Sequence, residues 1–329
     1  MFFDQTKNFV FSEQSVSRFN ETALELFQFQ YKNNKIYKQF VDLNHINLLQ
    51  VKTVEQIPFL PIEFFKNHMV ICGDEIPLEY FESSGTSGMQ KSKHFVSSLA
   101  LYEESFLNGF SHFYGNIKDY CLLALLPNYQ EQKHSSLIYM IKKLIAESGH
   151  AESGFFLHDN QALKAKLLEL KKAHQKTILF GVSYALLDMA EQYPISIPET
   201  IIFETGGMKG RRKEMIREEL HSILQKAFGV PAIHGEYGMT ELLSQAYSNG
   251  KGIFVPSPWM KIVIRDTNDP KTMLACDKTG GINVIDLANR YSCSFIATQD
   301  LGKLHDNGSF EILGRFDHSD VRGCNLMIE

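Results

Sequence analysis

The sequence predicts an α/β fold in which a parallel-rich sheet, flanked by helices, is followed by a smaller β-rich part. In the middle of the chain, short apolar runs such as "YCLLALLP" alternate with segments whose apolar residues recur at helical spacing. Such alternation is typical of parallel strands joined by crossover helices. After Pro256, strand-like runs separated by Asn, Asp and Gly turns predominate. We therefore expect an α/β core over residues 1–255 and a β-rich sublobe over residues 256–329 that ends in a short C-terminal tail.

Apolar periodicity predicts the elements of the core. The first eighty residues are mostly helical in pattern, and the segment Ser135–Gly149 has apolar residues at 137, 138, 141, 144 and 145, one helical stripe. A helix over residues 160–174, the strand "KTILFGVS", the helix "YALLDMAEQY" and the strand "ETIIFETGG" follow in order. The next helix ends at Gly229, where a glycine terminates it. In the sublobe, the predicted strands are "MKIVIRD", "GGINVIDL", "CSFIATQD" and "GSFEILGR".

Composition excludes several classes of function. The 329 residues carry a formal charge of −5 with scattered Lys and Arg, which argues against a nucleic-acid partner. The N terminus lacks a signal-peptide pattern, and the longest apolar run, "CLLALLP", is too short to span a membrane. An odd number of cysteines without a C-x-x-C pair predicts reduced thiols and a cytoplasmic protein. The five cysteines are Cys72, Cys121, Cys276, Cys293 and Cys324.

The stretch "FESSGTSGMQKSKHF" is the first candidate site. It does not match the Walker A motif, because the order Gly85, Gly88, Lys91 gives G-x-x-G-x-x-K. The physical logic of a phosphate loop remains: glycines let backbone N–H groups approach a polyphosphate, hydroxyls add donors, and a lysine adds charge. A flexible Ser/Gly-rich surface loop is the alternative. The candidate phosphate ligands are Ser83, Ser84, Gly85, Thr86, Ser87, Gly88 and Lys91.

Three further stretches could complete a nucleotide site. In "HGEYGMTELLSQ" a strand ends in glycine, and we expect Thr240 and Glu241 to open a helix; a hydroxyl and a carboxylate suit a phosphate oxygen and its magnesium ion. The turn Gly206–Gly207 follows a strand, where a flat base could lie on the backbone. Asp300 in "ATQDLG" could accept hydrogen bonds from ribose hydroxyls, with Arg315 donating to the same sugar. An ordinary helix start, a turn and a surface ion pair are the respective alternatives.

Taken in order, "SSGTSGMQK", "GEYGMTE", "QDLG" and "GRFDHSD" resemble the motifs of the adenylate-forming superfamily. Within it, "LPNYQEQKHSSLIYM", "ETGGMKGRRKEM" and "SDVRGCNLMIE" are most similar to the acyl-protein synthetases, the long-chain-fatty-acid–protein ligases of the bioluminescence fatty-acid reductase complex. Phenylacetate–CoA ligases are the next resemblance. The fold implied is the large N-terminal domain of these enzymes without their mobile C-terminal domain, since nine residues follow Asp320.

The resemblance implies ATP and Mg²⁺ as cofactors and assigns roles to individual residues. The Ser83–Gly88 loop and Lys91 would hold phosphates, and Thr240 would touch phosphate while Glu241 holds magnesium. Asp300 would bind the ribose, with Arg315 nearby. Four residues would lie beside the adenine: Gly206, Gly207, Glu236 and Tyr237. The substrate implied is a carboxylic acid, in this family a fatty acid, and the partner implied is an acyl-accepting reductase or carrier protein.

Cys324, in "RGCNLMIE", is the candidate acyl carrier, because thiolates attack activated acyl groups well and the acyl-protein synthetases carry the acyl group on a cysteine near the C terminus. A chance tail thiol is the alternative, and the other four cysteines are expected to be packing residues. His134 is a weaker candidate for the acyl-binding side. Two other functions stay open: a CoA ligase of phenylacetate type, and a catalytically silent nucleotide-binding subunit.

Overall fold

A computed structural model of the chain describes residues 11, 15–75, 77–83, 90–127, 132–157, 159–206, 212 and 215–316. Among these residues the α-helices are α1 (Val16–Asn33), α2 (Lys35–Leu43), α3 (Phe64–Asn67), α4 (Leu99–Tyr114), α5 (Ser136–Ser148), α6 (Asn160–Lys172), α7 (Ser183–Gln192) and α8 (Arg217–Phe228). None of these helices combines the length and the apolar character needed to cross a membrane.

The strands in the described residues are β1 (Leu60–Pro61), β2 (Tyr80–Glu82), β3 (Lys93–Phe95), β4 (Cys121–Leu125), β5 (Gly154–Phe155), β6 (Thr177–Val182), β7 (Ile201–Thr205), β8 (His234–Tyr237), β9 (Ala246–Ser248), β10 (Ile253–Pro256), β11 (Met260–Arg265), β12 (Thr279–Asp286), β13 (Phe295–Leu304) and β14 (Phe310–Arg315). Twelve of them form one mixed sheet with the order β11-β12-β13-β14-β10-β9-β8-β7-β6-β4-β5, and β1 pairs with β13. Strands β2 and β3 form a separate antiparallel pair.

The strand pairing in the sheet changes from parallel to antiparallel at β8. On one side, β5, β4, β6, β7 and β8 run parallel, as the alternating sequence pattern predicts. On the other side, β9 to β14 pair antiparallel. In a parallel sheet the carboxyl ends of neighbouring strands meet at one edge, and ligands bind there. The segments that follow β7 and β8 are those that begin at Gly206 and Gly238, so two predicted motifs meet at one edge.

Burial explains why these segments form strands and helices. Every residue of β4 and β6 is buried, which fits near-continuous apolar strands covered on both faces. In α5 the predicted stripe is confirmed: Ile138, Ile141 and Leu144 are buried, and Leu137 and Ile145 pack against the core. Helix α8 ends as predicted at Gly229, which has a left-handed φ of 64°. The boundary between a core and a sublobe near residue 256 stays a prediction.

The helix expected at Thr240 and Glu241 is wrong. The chain makes a turn there and enters β9, which pairs antiparallel with β8. The buried backbone groups of this loop bond to distant side chains: Asp286 accepts from the N–H groups of Leu243 and Ser244, and Asn289 donates to the carbonyl of Glu241. Tertiary hydrogen bonds thus replace the intrahelical ones that local propensity favours.

Candidate active site

The base of the predicted phosphate loop is a closed hairpin. Ser83 and Ser92 exchange two hydrogen bonds: Ser83 N–H donates to the Ser92 carbonyl at 3.1 Å, and Ser92 N–H donates to Ser83 Oγ at 3.0 Å. Strands β2 and β3 therefore hold the two ends of the loop at a fixed separation. The tip of the loop and two other candidates lie outside the described residues: Ser84, Gly85, Thr86, Ser87, Gly88, Gly207 and Cys324.

The side chain of Lys91 lies on the exposed side of this hairpin. Its ammonium is 3.6 Å from Glu82, and Lys93 is 3.5 Å from the other oxygen of the same carboxylate. Lys91 is half exposed, and surface ion pairs of this kind contribute at most about 1 kcal/mol. Glu82 therefore holds Lys91 only weakly, and a phosphate ligand can compete for its charge. Its contact with phosphate stays a prediction.

A buried histidine connects the hairpin to the loop that carries Thr240 and Glu241. His94, in the middle of β3, has its Nδ1 2.8 Å from the carbonyl oxygen of Thr240; because a carbonyl only accepts, Nδ1 carries the proton. Burial lowers the pKa of His94 to about 4. The hydrogen bonds to Thr240 and Asn289 raise the pKa, but their effect is smaller than that of burial. The imidazole is therefore neutral at physiological pH. Sequence reasoning missed His94, although its inward position in the alternating "KHF" was a local signal.

Glu241 lies almost fully buried at the meeting point of these two elements, with 4% of its surface exposed. Burial raises the pKa of its carboxyl, while the hydroxyl of Ser92 and the positive charges of Arg315 and Lys66 act in the opposite direction. A divalent cation would relieve this burial cost. Magnesium is commonly held by one or two carboxylates together with substrate phosphates and water, so a single buried carboxylate beside the hairpin of the predicted phosphate loop fits it. The described residues contain no cluster of three or more protein ligands.

The pairing of β13 with β14 brings together Asp300 and Arg315, the two residues expected to bind the ribose (the ribose pair). Asp300 on β13 lies directly opposite Arg315 on β14, and Arg315 Nε is 3.3 Å from Asp300 Oδ1. Tyr237 donates its hydroxyl proton to Asp300 Oδ2 at 2.9 Å. Burial raises the pKa of Asp300, and Arg315 and Tyr237 act against that shift. The arrangement offers a carboxylate beside an exposed guanidinium, which is suited to the hydroxyls of a sugar.

Glu236 and Tyr237 were predicted to lie together beside the adenine, but their side chains point to opposite faces of β8, since successive strand residues alternate. Glu236 Oε2 accepts a hydrogen bond from Thr205 Oγ1 at 3.3 Å. Its charge raises the pKa of Tyr102 and Tyr247, after the larger effect of burial, so these rings lie on its side of the sheet. Burial raises the pKa of Glu236 itself to about 7. Its contact with adenine stays a prediction, as does that of Gly206, which follows β7 with a φ of 80°.

The raised pKa of Glu236 predicts a pH-dependent stability. Between its unfolded value of 4.5 and the folded value of about 7, the folded state binds more protons, so stability falls as pH rises through this window. Glu236→Gln removes this dependence, which amounts to at most about 3 kcal/mol. Urea unfolding at pH 5 and pH 8 measures it, with the exposed Glu169→Gln as the control. An equal pH dependence in wild type and Glu236→Gln would contradict the prediction.

The weaker candidates have structural partners. The ring of His134 stacks on Tyr80 with centroids 4.3 Å apart, and its carbonyl accepts from the N–H of Glu82 at 2.8 Å. His134 thus braces the β2–β3 hairpin. The pKa values of the four described cysteines are all raised, and burial is the largest cause. For Cys72 the pKa rises to about 12. A raised pKa disfavours the reactive thiolate. The expectation that they serve packing agrees with this, although Cys72 and Cys276 are only partly buried.

Solved structures of other proteins have a similar fold. The solved structures of similar fold include 2-hydroxyisobutyryl-CoA ligase in an open conformation with 2-HIB-AMP and CoA, at TM-score 0.65 and 10% identity over 92% of this chain and 70% of that one. ATP-bound MatB from Rhodopseudomonas palustris matches at TM-score 0.54 and 19% identity over 72% of this chain and 47% of its own. The chain thus spans about half the length of MatB. These likenesses establish the fold that the adenylate-forming motifs predict.

Sequence comparison identifies the family. Among curated proteins, the "Long-chain-fatty-acid–luciferin-component ligase" of Vibrio harveyi is 24% identical over 328 residues, covering 91% of this chain and 84% of that protein. The sequence model of the family described as "Acyl-protein synthetase, LuxE" matches residues 2–329. Because that match spans nearly the whole chain, the protein belongs to the LuxE family of acyl-protein synthetases, a family of ligases.

Proposed function

We propose that the protein activates a carboxylic acid with ATP to an acyl-AMP and then transfers the acyl group to a protein thiol. The observation that carries the proposal is the convergence of three groups around the end of β8: the ribose pair of Asp300 and Arg315, the loop of Thr240 and Glu241, and the β2–β3 hairpin. A nucleotide with its sugar at the first and its phosphates at the others would fit this arrangement. Family membership supports the same chemistry.

In the first step, a carboxylate oxygen of the acid attacks the α-phosphorus of ATP and the bond to pyrophosphate breaks. This transfer needs positioning and charge stabilisation more than covalent help from the protein. Asp300 and Arg315 would fix the ribose, and Thr240, Lys91 and the hairpin loop would bind the phosphates. Mg²⁺, held by Glu241, would neutralise phosphate charge. Gly206, Gly207, Glu236 and Tyr237 would lie beside the adenine, with the side chains of Glu236 and Tyr237 on opposite faces of β8.

In the second step, a thiolate attacks the carbonyl carbon of acyl-AMP, a thioester forms, and AMP leaves with the bonding electrons. We propose Cys324 as the thiol, because the acyl-protein synthetases carry the acyl group on a cysteine near the C terminus. The raised pKa values of the four described cysteines support the same choice. A fatty acid is the favoured substrate, supported by the name of the Vibrio harveyi relative. An acyl-accepting reductase or carrier protein would then take the acyl group, in the cytoplasm.

ATP–pyrophosphate exchange with the purified protein tests the first step. Short, long and aromatic acids are compared in the presence of Mg²⁺. Exchange that depends on one class of acid supports adenylation and identifies the substrate. The absence of exchange with every acid would contradict the proposal and favour a silent nucleotide-binding subunit. Product formation that requires free CoA would favour a ligase of phenylacetate type.

Cys324→Ser is expected to separate the two steps. With a radiolabelled acid and ATP, the wild-type chain should acquire a covalent label that hydroxylamine removes, whereas Cys324→Ser should keep exchange within about twofold and lose the label, since serine is a poor nucleophile without a base. Cys276→Ser, which removes a partly buried thiol of raised pKa, is the matched control. Full labelling of Cys324→Ser would exclude Cys324 as the acceptor.

A further inference from the structure

We propose that Lys66, on the one-turn helix α3, is a further catalytic residue: its ammonium binds a phosphate oxygen of ATP on the Glu241 side of the site and stabilises the charge that develops as pyrophosphate leaves. This inference rests on the proposed function and extends it to a residue that none of the sequence motifs contains. Helix α3 lies outside the four motif segments, so its placement must come from tertiary contacts.

The first set of contacts ties α3 to the phosphate hairpin. Gln90, the residue before Lys91, donates from its side-chain Nε2 to the carbonyl oxygen of Lys66 at 2.7 Å. The neighbouring Phe65 is buried, and its ring meets His94 edge-on with centroids 5.6 Å apart. His94 in turn bonds the carbonyl of Thr240. Lys66 is therefore positioned by the same side chains that join the hairpin to the Thr240–Glu241 loop.

The second set ties the start of α3 to the strand that carries Asp300. Strand β1 runs parallel to β13, with Leu60 opposite Ile296 and Pro61 opposite Ala297. The N–H of Ile62 continues this pairing by donating to the carbonyl of Ala297 at 3.0 Å. Because β1 is joined to α3 by two residues, the helix has little freedom to move relative to the ribose pair. Helix α3 is thus connected to the strand of Asp300 through β1 and to the β2–β3 hairpin through Gln90.

Charge indicates what Lys66 binds. Lys66 is partly buried, and in the part of the chain that the structure describes it makes no ion pair, whereas Lys91 and Lys93 share Glu82. Its helix adjoins His94 through the ring of Phe65, and His94 bonds the carbonyl of Thr240, the residue before Glu241. An ammonium that pairs with none of the described carboxylates can bind an anion, and lysine commonly binds phosphate as a point charge. The anion that the proposed reaction brings to this position is the polyphosphate of ATP.

The chemistry requires no proton from Lys66. The acid's carboxylate attacks the α-phosphorus, the bond to the pyrophosphate oxygen breaks, and the electron pair stays on pyrophosphate. Lys66 stabilises the negative charge on the phosphate oxygens. Such preorganised charge contributes most in a site shielded from water, where removing one donor typically costs on the order of 10²–10³ in rate.

The test compares Lys66→Gln, Lys66→Arg and wild type in acid-dependent ATP–pyrophosphate exchange. We expect kcat to fall on the order of 10²-fold in Lys66→Gln and less in Lys66→Arg, which keeps the charge. The control is Lys261→Gln, a partly buried lysine on β11 paired with Glu55; it should retain wild-type activity. Thermal melting of each variant shows whether the fold is kept. Exchange within twofold of wild type in a folded Lys66→Gln would overturn the inference.

A second measurement separates this inference from the proposed function. Mg²⁺–ATP binding is measured by calorimetry without any acid. If none of the acids supports exchange by the wild-type protein, the proposed function is overturned. In that case, tenfold weaker Mg²⁺–ATP binding by Lys66→Gln, with unchanged binding by Lys261→Gln, still supports a phosphate contact. Equal binding by Lys66→Gln and wild type in the absence of exchange would overturn that contact as well.

Discussion

Glu241→Gln is expected to reduce acid-dependent ATP–pyrophosphate exchange by on the order of 10²–10³-fold, the effect of removing one charge-stabilising group from a buried site. The substitution keeps the shape of the side chain, and the backbone of residue 241 stays bonded to Asn289 through its carbonyl. What is lost is the negative charge that would hold Mg²⁺, since neutral amides are weaker ligands for this ion than carboxylates. Exchange is measured with the acid that supports wild-type activity, at several Mg²⁺ concentrations.

The matched control for this prediction is Glu169→Gln, which removes a carboxylate from the exposed side of α6. It should leave exchange unchanged. We expect excess Mg²⁺ to restore only part of the activity of Glu241→Gln, because a missing ligand weakens binding and also misplaces the ion. A folded Glu241→Gln with wild-type exchange at low Mg²⁺ would show that this carboxylate does not hold the metal.

Asp286→Ala is expected to lower the free energy of unfolding by about 3–5 kcal/mol, the cost of breaking a buried polar network. Asp286 is completely buried at the end of β12. It accepts hydrogen bonds from the N–H groups of Leu243, Ser244 and Ala288 at 2.8, 3.0 and 3.1 Å, and another from the Ser244 hydroxyl. Removing the carboxylate leaves these donors buried and unpaired. Urea unfolding at pH 7 measures the loss.

Asp286→Asn provides the graded comparison, because it keeps one side-chain acceptor oxygen and should lose less stability than Asp286→Ala. Asp269→Ala, which removes an exposed turn carboxylate with hydrogen bonds to Lys271 and Thr272, is the surface control. We also expect Asp286→Ala to impair exchange in the fraction that stays folded, since Asp286 holds the loop that follows Glu241. A loss below about 1 kcal/mol, the net value of a single ordinary hydrogen bond, would show that the loop does not depend on this carboxylate.

Much of the fold was predictable because its signals are local. The continuous apolar runs of β4 and β6 predict strands covered on both faces, and the stripe of α5 predicts a helix with one buried side. The glycine at position 229 predicts the end of α8. Strand–helix alternation predicts parallel pairing, and parallel pairing brings the carboxyl ends of β7 and β8 to one edge. The candidate residues after these strands were therefore found without a structure.

The part of the site that sequence reasoning missed consists of contacts between residues far apart in the chain. Thr240 and Glu241 have the composition of a helix start, yet Asp286 and Asn289, more than forty residues away, bond the backbone of that loop and hold it as a turn. His94 reaches Thr240 across 146 positions. No periodicity encodes such pairs, because hydrogen-bond partners in a buried loop are chosen by distance in space.

The sequence by itself predicted the strand–helix alternation of the core, the strands after residue 256, the four motifs and the family, since each depends on residue type and short-range spacing. The tertiary structure alone decided that Asp286 supports the loop of Glu241, that neutral His94 joins this loop to the β2–β3 hairpin, and that α3 is bonded to the same hairpin through Gln90. It also decided that Asp300 faces Arg315, which follows from the register of β13 and β14. Burial and strand register set these contacts, because they fix which polar groups lose water and must find partners within the protein.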